Sequence, residues 1–265
     1  MGSPKAALEW HGSTLLRRVT GIVARAVDGP VVVVRAPGQE LPRLDGVAEI
    51  VADSIEGRGP LQGIAAGLAA IGDRASVAYV TSTDVPLLHP RFVRRVLDFF
   101  TDELDAVVPE IAGHRQPLAA AYRLDLLSTV EELIAEARMR PAFLFERCRV
   151  LQLSEEALLR DSALARVDPQ LSSVRNLNEP ADYEAAHAEP APEIRVERFG
   201  TLVPPGGGRR LTVRAWSLGG AAAAAGLALD EHVVAALNGD QITRDADLPL
   251  AAGDSIAFMV ADAGG

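Results

Sequence analysis

The chain has 265 residues, 48% hydrophobic and 23% charged, with a formal net charge of −10. That length gives room for roughly two domains with sizeable cores, and the acidic balance argues against nucleic acid or an anionic membrane as a partner. A single cysteine, Cys148, excludes an intrachain disulfide or a cysteine metal cluster. No apolar run is long enough to span a bilayer, so a cytoplasmic location is expected.

The first region alternates helical and strand patterns. Ser13-Thr14 can cap a helix whose apolar face is Leu15, Leu16, Val19, Ile22, Val23 and Ala26. Val31–Val34 reads as a strand buried on both faces. Leu61, Ile64, Ala65, Leu68 and Ile71 form a second helical stripe, followed by a strand over 76–80, a helix over 92–100 and a strand over 105–108. This alternation predicts a three-layer, Rossmann-like α/β domain with a mostly parallel sheet over residues 1–185. Residues 186–192 are small and Pro-rich, and read as a linker. Strand patterns then dominate 193–265, with a short Ala-rich segment at 221–225 and an Asn238-Gly239 hairpin turn.

Four clusters in the first region carry candidate chemistry. In Thr81-Ser82-Thr83-Asp84-Val85-Pro86, the carboxylate follows a buried strand, where ligands bind in open α/β sheets. Asp84 could hold Mg²⁺ together with phosphate oxygens, or it could cap the following helix; local pattern leaves both open. Asp53 with Gly57, Gly59, Pro60 and Gly63 forms a glycine-rich turn into a helix start. Its amides could meet a nucleotide, although tight turn packing explains such glycines more often. Lys5 could neutralise a triphosphate or be a solvated surface charge. Asn176 and Asn178, before Glu179-Pro180, could bond a substrate or start an Asx-turn. The five histidines lack metal-ligand spacing and read as surface or loop residues. Arg17-Arg18 reads as a helix's polar face, and Cys148 as structural.

Taken in order, these clusters resemble the molybdenum cofactor guanylyltransferase family. That family opens with a strand and Leu-x-Gly-Gly-x-Ser-x-Arg-Met-Gly-x-x-Lys, and Met1-Gly2 with Lys5 matches its end. Asp53 with Gly59-Pro60-Leu61-Gln62-Gly63, Asp84-Val85-Pro86, Pro117-Leu118 through Tyr122, and Asn176-x-Asn178-x-Pro180-x-Asp182 match its later motifs. The resemblance covers about residues 1–185. It implies Mg-dependent transfer of GMP from GTP to molybdopterin, with Asp84 on the metal and Lys5 on the leaving pyrophosphate. Asp53 would help hold the nucleotide or a metal, Gly59 and Gly63 would meet the nucleotide, and Asn176 and Asn178 would position the pterin. The chain starts inside the opening signature, so the family's first strand and Gly-Gly loop are expected to be missing. That expectation allows a silent binding module as an alternative. Arg35-Ala36-Pro37 stands where guanine-selecting members carry an Asn, which keeps a cytidylyltransferase or sugar-phosphate nucleotidyltransferase relative in play.

Residues 193–265 resemble the sulfur-carrier family of the molybdopterin synthase small subunit and the thiamine sulfur carrier. Val234-Ala235-Ala236-Leu237-Asn238-Gly239, Leu248-Pro249-Leu250, Gly253-Asp254 and the terminal Gly264-Gly265 carry the match. The resemblance implies a ubiquitin-like β-grasp domain whose Gly265 carboxylate is adenylated by an E1-like enzyme. It would then carry sulfur to a molybdopterin synthase large subunit.

Overall fold

The computed structural model describes residues 5–44, 46–53 and 59–261. Contacts divide the chain into two units. One takes Thr14–Pro180 with the residues up to Leu8; the other takes Glu9–Ser13 and the residues from Ala181. A short hairpin, β1 (Glu9–Trp10) and β2 (Ser13–Thr14), leads into α1 (Leu15–Ala24). The Thr14 hydroxyl caps α1 by accepting from the Arg17 amide at 3.2 Å, and Leu15, Leu16, Val19 and Ile22 bury its apolar face.

In the first unit β3 (Val32–Arg35) pairs in parallel with β4 (Glu49–Ala52) as a separate two-stranded sheet. Helix α2 (Pro60–Ile71) starts with Pro60 in its first turn and Gly59 as cap. Gly59 sits at φ +83°, ψ −177°, a conformation open almost only to glycine. Next come β5 (Val77–Thr81), α3 (Pro90–Asp98), β6 (Ala106–Ile111), β7 (His114–Arg115) and β8 (Ala119–Arg123). The helices α4 (Leu127–Ala135) and α5 (Pro141–Phe145) precede β9 (Val150–Ser154), and α6 (Glu155–Leu159) and α7 (Ser162–Val167) follow it. The main sheet runs β5-β8-β6-β7, with β9 also on β6. Leu61, Ile64 and Leu68 of α2 share a core with Val130 and Leu133 of α4 and with Ala106 and Val108 of β6. Alternation turns Val107, also fully buried, to the other face.

Two expectations are corrected here. The sheet is mixed: β8 runs antiparallel to both β5 and β6, and only β6–β9 is a parallel pair within it. The valine run is not buried on both faces. Among β3 residues only Val33 is buried, because β3 pairs with β4 on one edge and borders a cavity on the other. That cavity, about 660 Å³, lies between β3 and β5 and is lined from α1 and α2 by Val19, Val23, Ile64 and Leu68.

The second unit holds α8 (Pro180–His187), β10 (Glu193–Arg198), β11 (Arg210–Arg214), α9 (Leu218–Ala224), β12 (Val233–Leu237), β13 (Gln241–Thr243) and β14 (Ser255–Val260). The sheet order is β11-β10-β14-β12-β13. Its inner pair β10–β14 is parallel, and the β10–β11, β12–β14 and β12–β13 pairs are antiparallel. Leu218, Ala221 and Ala222 of α9 pack with Ile194, Val196, Leu237 and Phe258. Helix α8 reaches His187 and so takes up the start of the segment read as a linker. Gly264 and Gly265 lie outside the described residues. Among the described residues no helix is long and apolar enough to cross a membrane.

The tip of the β1–β2 hairpin belongs to this second unit through aromatic packing. Trp10, 1% exposed, meets Tyr183, His187 and Trp216 edge-on, at centroid distances of 6.3, 5.6 and 5.6 Å. His11 is stacked between His187 at 4.2 Å and Trp216 at 4.8 Å. His11 lies in the hairpin turn, as a loop reading has it, and His187, half-buried at the end of α8, corrects its reading as a surface or loop position; both rings serve packing.

Candidate active site

The carboxyl end of β5 opens into the turn that carries Asp84. Its Oδ2 accepts from the Lys5 ammonium at 2.9 Å, with the Lys5 and Asp84 side chains 36% and 17% exposed. The other oxygen, Oδ1, is buried and has no hydrogen-bond partner among the described residues. The Asp84 carbonyl accepts from the Leu177 amide at 2.8 Å, and the Ser82 hydroxyl donates to Asn176 Oδ1 at 3.4 Å. Residues 79, 93 and 94 positions apart in the chain are thereby gathered at one turn. Leu177 is buried, and its neighbours Asn176 and Asn178 are exposed. Asp84 caps no helix: α3 starts six residues later, capped by His89, whose Nδ1 accepts from the Arg91 amide at 3.0 Å.

The cavity between β3 and β5 gathers a second set. Asp53, Gly59 and Gly63 line it together with Ser82 and Thr83, and Asp84 and Lys5 do not. The two groups of sequence-picked residues therefore meet at Ser82-Thr83. A Cβ built on Gly63 would meet nothing within 4 Å, so packing does not explain that glycine. Tyr79 also lines the cavity, and burial pushes its phenol far above the usual range, so it stays neutral.

Sequence reasoning missed a polar frame under this turn. The buried Arg18 donates from Nε to the Pro86 carbonyl at 3.0 Å. Arg17 and Arg18 are only 9% and 4% exposed, which corrects their reading as a helix's polar face. The buried Asp168 accepts from the Ser173 hydroxyl at 2.6 Å, and Ser173 Oγ accepts from the His89 amide at 3.0 Å. Tyr122 donates to the Pro117 carbonyl at 2.8 Å, which ties the two ends of that segment together. Cys148 is half-buried, with burial raising its thiol to about 11, so it is unreactive as a nucleophile near neutral pH.

Residues 1–150 match the model of the MobA-like NTP transferase domain. The chain belongs to that family. The protein is accordingly a nucleotidyltransferase. Within the MobA-like family, it is 31% identical over 187 residues to a molybdenum cofactor guanylyltransferase of Desulfosudis oleivorans, covering 71% of this chain and 87% of the relative. The crystal structure of molybdopterin-guanine dinucleotide biosynthesis protein A from Archaeoglobus fulgidus aligns with a TM-score of 0.55 at 22% identity, over 70% of this chain and 90% of that one. That likeness establishes the shared nucleotidyltransferase fold.

The residues present suit a divalent cation. The buried, unpartnered Oδ1 of Asp84 is a hard oxygen donor, and among the described residues no group of three or more His, Cys, Asp or Glu is placed to hold a metal ion. Mg²⁺ needs only one or two protein carboxylates when phosphates and water complete its shell.

Proposed function

We propose that the protein transfers a guanylyl group from GTP to the terminal phosphate of molybdopterin, in molybdenum cofactor biosynthesis. The observation that carries this reading is the convergence of Lys5, Asp84 and Asn176 on one turn of a MobA-like chain. In the reaction, a phosphate oxygen of molybdopterin attacks the α-phosphorus of GTP. A new P–O bond forms there as the bond to the β-phosphate breaks, and pyrophosphate leaves. Lys5, already at hydrogen-bond distance from Asp84, supplies charge to the departing pyrophosphate. Asp53, Gly59 and Gly63 line the cavity that receives the nucleotide, with Gly63 letting it approach the helix backbone. Asn176 and Asn178, on the exposed side of Leu177, orient the pterin. Asp84 would hold Mg²⁺ through Oδ1, and the bound ion would neutralise phosphate charge.

The test is guanylyl transfer to molybdopterin, followed by pyrophosphate release with GTP and CTP in parallel. We expect product from GTP, and a fall on the order of 100-fold for Asp84→Asn. Preference for CTP would move the protein to the cytidylyltransferase reading. Binding of GTP without turnover would leave the silent binding module.

For residues 193–265 we propose a β-grasp sulfur carrier. Its support is a sheet with a parallel inner pair, flanked by antiparallel strands and crossed by one helix. In this reading the Gly265 carboxylate attacks ATP at an E1-like enzyme, releasing pyrophosphate. Sulfur from a donor then displaces AMP, and the thiocarboxylate serves a molybdopterin synthase large subunit. Intact mass after incubation with such an activating enzyme, ATP and a sulfur donor decides it. A mass gain of one oxygen replaced by sulfur is expected, and an unchanged mass with a competent enzyme removes the role.

A further inference from the structure

Arg18 occupies a place that helical periodicity reserves for an apolar residue. It shares a face of α1 with Leu15, Val19 and Ile22, all buried, and is itself 4% exposed. Burying a guanidinium costs free energy unless its donors are used. One of them is aimed at the Pro86 carbonyl, 3.0 Å from Nε, two residues past Asp84. The residues around that carbonyl leave the turn little freedom: Val85 and Leu88 are 2% and 1% exposed, and the Leu88 amide donates to the Val85 carbonyl at 3.0 Å. The Leu177 amide on Asp84 and the Ser173 hydroxyl on the His89 amide brace the same turn from the other end of the unit. Arg18 is its side-chain brace from α1.

We propose that Arg18 is a positioning residue for Asp84: by fixing the Pro86 carbonyl it sets where the Asp84 carboxylate points. The inference rests on the reading of Asp84 as the carboxylate that meets the cation and the phosphates. Partners that orient a ligating carboxylate cost about 10–100-fold in metal affinity or activity when removed. Losing a buried cation for an apolar side chain of similar length need not lower stability.

Mn²⁺ binding to the full chain, followed by electron paramagnetic resonance, reads the effect directly, with steady-state guanylyl transfer and the thermal midpoint alongside. Arg18→Met is expected to keep or raise the midpoint, to weaken Mn²⁺ binding about tenfold or more, and to lower kcat while leaving KM for GTP close to wild type. Arg18→Lys, which keeps a donor of similar reach, should recover part of the loss. If Arg18→Met does not fold, Arg18→Gln, too short to reach Pro86, is expected to show the same loss of Mn²⁺ affinity. Wild-type affinity and kcat in the folded variant, beside their loss in Asp84→Asn, would overturn the role of Arg18 alone. Unchanged Mn²⁺ binding in Asp84→Asn would overturn the reading of Asp84, and this inference with it.

Discussion

The Lys5–Asp84 pair shows how a strong contact can matter little for stability. Both groups reach solvent, and an ion pair at that exposure contributes less than about 1 kcal/mol. Lys5→Met should therefore shift the thermal midpoint only slightly. If the ammonium faces phosphate during turnover, the same change should weaken GTP binding about tenfold, measured by calorimetric titration; a wild-type affinity would return Lys5 to a surface charge. The residues of this site were unevenly legible. Asp84 could be picked out because it follows a strand, where ligands bind in open α/β sheets, although the sequence left helix capping open until His89 took the cap of α3. Asn176 could be picked out only through the spacing of the motif Asn176-x-Asn178-x-Pro180-x-Asp182. Arg18 could not. Adjacent arginines are rarely buried, and the carbonyl that draws Arg18 inward is 68 residues away in the chain.

Helix α2 offers a paired test at the scale of an element. Gly63 and Gly67 both lie in its interior, where alanine is favoured over glycine by about 1 kcal/mol. A Cβ at Gly67 would make ordinary contact with Val34 Cγ2 at 3.6 Å, and one at Gly63 would meet nothing within 4 Å. Each change to alanine is therefore expected to stabilise the first unit, seen as a rise in thermal midpoint. Both glycines line the cavity, but at Gly67 the new methyl would rest on Val34, so Gly63→Ala should weaken GTP binding more than Gly67→Ala. Equal effects of the two variants on GTP binding would show that Gly63 has no special closeness to the ligand. The helix stripe itself was readable, because Leu61, Ile64, Ala65, Leu68 and Ile71 repeat at helical spacing, and all but the half-buried Ile71 are buried, with Gln62 buried beside them. The burial of β3 was not readable. Four valines in a row specify a strand, but whether both edges are paired depends on chain segments far from it, and here one edge borders the cavity.

At the scale of the molecule, the division of the chain departs from the order of its sequence. Local patterning gave the elements on either side of residue 190, but it could not assign Glu9–Ser13 to the unit that also holds Ala181 and beyond. That assignment depends on which aromatic rings meet. The turn supplies part of the cause: His11 and Gly12 both have positive φ, +47° and +89°, the geometry of a tight two-residue hairpin turn. It places the His11 ring between His187 and Trp216. Glu9 ties the hairpin down further. Its carboxylate accepts from the Gly12 amide at 2.6 Å and lies 2.9 Å from His187 Nε2, and its carbonyl accepts from the Tyr183 hydroxyl at 2.6 Å. The Gly12 amide first, and then His187, hold the Glu9 carboxyl below its ordinary value of 4.5. A carboxyl depressed on folding contributes stability that is present above its unfolded value and lost as pH falls through the folded one. Acidification below 4.5 should therefore loosen the hairpin tip from the second unit. The chain's two tryptophans, Trp10 and Trp216, both sit in this cluster at 5.6 Å, so intrinsic fluorescence reports on it directly. We expect the fluorescence midpoint in urea to fall as pH drops below 4.5, and Glu9→Gln to flatten that dependence while lowering the midpoint at neutral pH. A Glu9→Gln variant with the wild-type pH profile would show that the aromatic stack alone holds the hairpin in place.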